Sequence, residues 1–332
     1  MKISALIASL FCLLMASSVL EARTFKIATA APDGTTWMKK IREGAQQINE
    51  KTQGRVKFKF YTGGIMGSDT SVLKKMRIGQ LHGGAVTGGS LADIYPDAQI
   101  YSLPFVFQTF EEVDYVRKTM DAMISQGLQE KEIKVLGITE GGFAYFMSRR
   151  PVRKVEDLSS MKNWLPEGDP ITQSIYEAVG VSPVPLPLSD VYTGLQTGLI
   201  DTVGGVQTGA IAFQWHTKVR YITDIPLVYL VGTLILDDRA YKKISPEDQK
   251  IVEATMARVF KDLEVINRKD NIMAREALKQ QGIEFISLTE EEEKRWHKLA
   301  KETRESLLKK GLYTKKMYNI LNTLLQEFRQ KN

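Results

Sequence analysis

The residues best suited to acid–base or metal chemistry here are His82, His216 and His297, and their spacing serves neither purpose. No H-E-x-x-H pair places two of them on one helix face, and no serine sits in a G-x-S-x-G elbow. Gly63-Gly64-Ile65-Met66-Gly67 lacks the form of a phosphate-cradling loop. The adjacent carboxylates Glu156 and Asp157 stand at a helix start, where they offset the helix dipole rather than share a proton. Cys12 is the only cysteine, and it lies inside an N-terminal apolar run. No reactive constellation emerges, which turns attention to binding.

The N-terminus has the form of a targeting signal. Lys2 precedes an apolar run from Ile3 to Val19, and Leu20-Glu21-Ala22 offers a small-residue cleavage site before Arg23. Residues 1–22 are therefore expected to be a cleaved signal peptide, which sends the mature chain to the periplasm. Phe11 before Cys12 is not the small residue a lipid anchor needs. The mature chain then has no thiol and no disulfide, so its core must hold without staples. Its length suggests about two domains, and nothing after residue 22 is long and apolar enough to cross a bilayer. The net charge of +6 comes from 45 basic and 39 acidic residues interleaved along helices. Solvated helix faces, not a nucleic-acid surface, are expected.

Phe25 to Ala30 reads as a first strand and Pro32-Asp33-Gly34 as a turn. Trp37, Ile41, Ala45 and Ile48 share one face of a helix that stops near Gly54. Val56 to Tyr61 alternates as a half-buried strand. A helix to about Ile78 and a short strand at Ala85-Val86-Thr87 complete an α/β lobe with a largely parallel sheet. A helix from Phe110 to about Gln129 leads to a strand over Lys134 to Ile138. Gly141-Gly142 then marks a flexible crossing to a second α/β lobe. Ser245 can cap a long helix with Pro246 in its first position. Val252, Met256, Val259, Leu263 and Ile266 form one seam, and no breaker appears before Gly282. About 36 residues would span roughly 54 Å, enough to touch both lobes. Thr289 with Glu292 opens another helix, and Met317, Leu321, Leu324 and Phe328 line a last one.

Several motifs, in order, resemble one family. Tyr61 to Asp69 (YTGGIMGSD) resembles an F-P-G-G-Q-L-G-S-D loop, Arg77 to Leu81 an R-x-G-x-x segment, and Leu103 to Phe107 an L-P-F-L-F element. Glu156-Asp157-Leu158 with Lys162, Val184-Pro185, and Asp190-Val191-Tyr192 through Leu195-Gln196, Gly198 and Asp201 follow the same frame. The chain resembles the solute-binding subunits of tripartite ATP-independent periplasmic (TRAP) transporters, dicarboxylate type. The resemblance implies an α/β, two-lobed solute-binding fold with a long hinge-spanning helix. It also implies closure over a small organic ligand and delivery to a membrane permease. Residues 23–142 with about 231–270 would form the first lobe, and 143–230 with about 271–332 the second lobe and C-terminal helices. Neither a metal nor a cofactor is expected. A monomer is expected, or a homodimer through the Met317–Phe328 face. The rival roles are a secreted α/β enzyme acting on a small molecule and a ligand sensor for a membrane signalling partner.

In that family an arginine two residues after the lysine pairs with the ligand carboxylate; Trp164 holds its place here. A guanidinium offers two parallel charged donors, whereas indole offers one N–H and a flat apolar face. A second family arginine, near Gly142, and an asparagine after the D-G-x-E element also lack counterparts. A ligand that is apolar, aromatic or weakly charged is expected. Trp37, Phe143, Tyr145, Trp164, Tyr192 and Trp215 are the candidate aromatic walls. Thr87, Ser90 and Gln207 are candidate hydrogen-bonding groups, and Gly205, beside Gly204, leaves room where side chains normally project.

Overall fold

The computed structural model describes residues 22–331, so all but the last residue of the expected signal segment lies outside the described residues. The strands are β1 (Arg23–Thr29), β2 (Val56–Tyr61), β3 (Gly83–Thr87), β4 (Ile133–Ser148), β5 (Trp164–Pro166), β6 (Val184–Leu186), β7 (Thr202–Val206), β8 (Tyr221–Thr223), β9 (Val228–Asp237) and β10 (Glu284–Ile286). The α-helices are α1 (Thr36–Lys51), α2 (Asp69–Arg77), α3 (Phe110–Gln129), α4 (Pro170–Ala178), α5 (Val191–Thr197), α6 (Gln207–Ala212), α7 (Asp238–Tyr241), α8 (Pro246–Gln280), α9 (Glu290–Lys309) and α10 (Lys315–Lys331).

One mixed sheet runs through the molecule in the order β10-β8-β4-β9-β3-β1-β2, with β7 also paired to β4. Only part of it is parallel. β1 lies parallel between β2 and β3, but β9 returns antiparallel to both β3 and β4. Parallel pairing holds among β1, β2 and β3 and again between β8 and β10, whereas β9 comes back from the second half of the chain to complete the first sheet antiparallel.

Local signals account for the helices. Thr35 caps α1, its hydroxyl accepting from Met38 N at 3.3 Å, and Met38, Ile41, Ala45 and Ile48 face the core. Ser245 accepts from Asp248 N at 3.1 Å to start α8, with Pro246 first in the helix. α8 spans two cores. Val252, Met256, Val259 and Leu263 pack with Phe25, Ile27 and Ile41. Leu278, four turns further on, packs with Met147, Val203 and Ile222. Bidentate ion pairs fix each end: Arg55 with Asp248 at 2.8 and 2.9 Å, and Arg275 with Asp224 at 2.6 and 2.8 Å.

Gly141-Gly142 does not end β4. The strand continues for 16 residues and bends there, with a register shift between Glu140 and Gly142 against β9. Such a shift removes backbone groups from the ladder. Two α8 asparagines answer for them: Asn267 Nδ2 donates to Glu140 O at 2.7 Å, and Asn271 Nδ2 to Gly141 O at 2.9 Å. Gly142 has φ +110°, and a Cβ there would lie 2.7 Å from Asn271 Nδ2, so only glycine fits.

α10 folds back on α3. Met317, Leu321 and Leu325 join the core of Val113, Val116 and Met120, and Phe328 meets Tyr115 at 5.5 Å. Of the face considered for a homodimer, Met317 and Leu321 are thus buried within the chain, and Leu324 and Phe328 are half-buried. No helix among the described residues is long and apolar enough to cross a membrane.

Candidate functional site

A cavity of about 190 Å³ lies where the two halves meet. From the first half come Gly64, Gly67, Ser68 and Asp69 before and at the start of α2, and Thr87 to Ser90 after β3. From the second come Trp164, Pro166, Glu167 and Asp169 around β5, Pro187 to Ser189, Gly204 to Val206 of β7, and Phe213 and Trp215. The halves touch across it. A Cβ on Gly64 would stand 3.0 Å from Ser189 Cβ, and one on Gly168 2.9 Å from Thr70 Oγ1. Both halves thus contribute walls to this space and meet beside it.

The aromatic wall is built on β5 and β7. Pairing of β5 with β6 brings Trp164 beside Leu186, whose carbonyl accepts from the indole Nε1 at 2.9 Å. Trp164 meets Trp215 edge-on at 5.6 Å, and Trp215 stacks on Phe213 at 5.5 Å. The Trp215 indole N–H is buried without a hydrogen-bond partner among the described residues. Gly205 serves this packing: a Cβ on it would lie 2.7 Å from Trp215 Cζ3. The room expected at Gly205 is therefore filled by Trp215, whereas a Cβ on Gly204 meets nothing within 4 Å.

The polar wall is built on Asp69. Its Oδ2 accepts from Thr87 N at 2.9 Å, Thr87 Oγ1 at 3.2 Å and Ser90 Oγ at 2.8 Å. Asp169 stands opposite, capping α4 through Thr172 N at 3.0 Å and Thr172 Oγ1 at 2.7 Å. Burial pushes both carboxyls above the ordinary carboxylate range, against the pull of those hydrogen bonds.

Trp164, Gly205, Trp215, Thr87 and Ser90 thus line the cavity as expected residues. The others do not line it. Trp37 packs half-buried on the core under β1 and β2. Phe143 is held by Phe110 at 5.0 Å and Tyr229 at 5.3 Å. Tyr145 sits opposite Gly205 in the sheet, its hydroxyl pushed up by burial and by Asp224. Tyr192 lies under Lys218 Nζ at 5.2 Å, and Gln207 is buried at the start of α6. Asp69, Asp169, Glu167 and Phe213 are among the lining residues not expected as site residues. Asp69 stands in the G-S-D motif used for family resemblance, and Asp169 reads as a helix cap, which it also is.

None of the three histidines lines the cavity. His82 Nδ1 accepts from Lys26 N at 2.9 Å, His216 Nδ1 lies 2.9 Å from Ala210 O, and His297 packs edge-on to Phe105. The cavity serines therefore have no imidazole base beside them.

The raised Asp169 carboxyl carries a pH consequence. A group whose folded value exceeds its unfolded one stabilises the fold below the ordinary carboxylate range, and that contribution is lost as pH rises through the folded value. Asp169→Asn keeps the helix cap, since asparagine caps as well as aspartate. Thermal unfolding of the ligand-free variant should show a gain over the native chain at pH 7 that vanishes at pH 4. An equal change at both values would contradict the burial argument.

Residues 27–310 match the family model described as bacterial extracellular solute-binding protein, family 7. The chain is 29% identical over 220 residues to the uncharacterized protein YiiZ of Salmonella typhimurium, an alignment covering 64% of this chain and 65% of that protein. It is 23% identical to the 2,3-diketo-L-gulonate-binding periplasmic protein YiaO of Escherichia coli over 72% of this chain and 74% of that one. A solved TRAP periplasmic solute-binding protein from Xanthobacter autotrophicus, with bound β-D-galacturonate, superposes with a TM-score of 0.83 at 19% identity. It covers 91% of this chain and 99% of that one. With the match over most of its length and the same fold closed around a cavity, the chain belongs to the family 7 bacterial extracellular solute-binding proteins.

Proposed function

We propose that this protein is the periplasmic receptor of a TRAP transporter, closing two lobes over one small organic solute and handing it to a membrane permease. The observation that carries the reading is the enclosed space itself, walled by residues from both halves and bridged behind by β4, β9 and α8. The hinge falls where Glu140 pairs with Val231 and Gly142 with Leu230, strands that the two halves share. A solute that binds the closed form better shifts the population toward it.

The related proteins with solved structures are described with organic acids such as D-glucuronate and pyroglutamic acid bound. Here a tryptophan fills the position of the expected ligand arginine, and no lysine or arginine among the described residues lines the cavity. Burying a carboxylate without a countercharge is costly. The solute is therefore not a simple dicarboxylate. Native mass spectrometry of protein purified without unfolding should show a bound small molecule. Succinate and malate should leave the thermal midpoint unchanged. A stabilisation of several degrees by either acid would overturn the ligand assignment.

A further inference from the structure

The ionisable side chains lining the closed cavity are three carboxylates, Asp69, Glu167 and Asp169, with no lysine, arginine or histidine among the lining residues. The two aspartates come from opposite lobes. Asp69 Oδ2 takes all three hydrogen bonds from Thr87 and Ser90, which leaves Oδ1 without a protein donor among the described residues. Asp169 reaches the same turn from the other side: a Cβ on Gly89, next to Ser90, would lie 3.5 to 3.7 Å from its carboxylate atoms. Closure therefore carries a second carboxyl group toward the turn that anchors the first. Burial raises both carboxyls, and no lysine, arginine or histidine among the described residues lines the wall, so closing the empty site leaves them desolvated without a countercharge.

The Trp164 face of the wall suits the same partner. Trp164 spends its N–H on Leu186 O, so it presents a ring and not a donor. Aromatic faces attract cations electrostatically. An ammonium group carries three donors and no acceptor, which matches a pair of carboxylates. The volume of about 190 Å³ is below the range of roughly 300–1,000 Å³ typical of drug-sized pockets, so the solute is small.

We propose that the solute is a small organic cation, a primary ammonium on an apolar or aromatic body, held between Asp69 and Asp169. This rests on the receptor reading above and names its substrate class. It also makes selectivity and closure one event: the ammonium group supplies the countercharge that the buried carboxyls lack.

The test uses calorimetric titration of the full mature chain with three matched sets of probes. Each set is the ammonium, the alcohol and the carboxylate on one carbon skeleton: propyl, benzyl and 2-phenylethyl. At least one ammonium should bind 10-fold or more tightly than its alcohol and its carboxylate. Asp69→Asn and Asp169→Asn should each weaken it by 10-fold or more while unfolding cooperatively. The inference is overturned if no ammonium outbinds its matched acid, or if both variants bind it as well as the native chain. A carboxylate or alcohol that binds, and loses binding in Trp164→Ala, would leave the receptor reading standing and remove the cation. If no probe binds and no solute co-purifies, both fall.

Discussion

Arg268→Met is expected to destabilise the chain by about 3–5 kcal/mol, the cost of leaving a buried carboxylate without its partner. Glu140 is 1% exposed at the bend of β4. Its Oε2 accepts from Arg268 Nη2 at 2.5 Å and from Tyr229 Oη at 3.0 Å. Arg268 also grips Asp114 at 2.7 and 2.9 Å and lies 4.6 Å over the ring of Phe110. The cluster ties α8, α3 and β9 to the strand both lobes share. Removing the guanidinium leaves Glu140 with a tyrosine hydroxyl alone. Asp114→Asn makes the contrast, because that carboxylate is 45% exposed and an exposed pair contributes about 1 kcal/mol or less. Urea unfolding should show a large loss for Arg268→Met and a small one for Asp114→Asn. Equal losses would mean that the buried charge at the bend carries no special weight.

Trp164→Ala should cost about 3–5 kcal/mol of stability, as for other large-to-small changes in a core, and weaken the native solute by about 1–3 kcal/mol. The indole is 5% exposed and forms the wall between the cavity and the core of Val191, Leu195 and Val203. Its loss would remove the indole hydrogen bond to Leu186 O and the edge-on contact with Trp215. Trp164→Phe separates the two effects, since it keeps an apolar ring and gives up the hydrogen bond. Unfolding midpoints and titrations on both variants check this. An Ala variant with native affinity would remove Trp164 from the binding wall.

The fold is legible in the sequence wherever its causes are local. α3 has its expected bounds because Thr109 caps it and its apolar spacing is regular, and α8 follows from Ser245, Pro246 and an unbroken seam. β4 is not legible in full. Gly141-Gly142 has the composition of a break, and the groups that carry the strand through the bend come from α8, some 130 residues away. The site divides the same way. Trp164 is found because it replaces a family arginine. Phe143 and Tyr192 have the right chemistry but are turned to other aromatic and lysine neighbours, which pattern alone does not reveal. Asp169 meets the Gly89 turn through contact between segments far apart in sequence, so its second role has no local signature.

Solution scattering on the same preparation, before and after its co-purified solute is stripped, tests ligand-dependent closure most directly. The protein stripped of solute should have the larger radius of gyration, and restoring its own extracted solute should return the compact value. Identical scattering with and without that solute would contradict a receptor that closes about the hinge in β4 and β9.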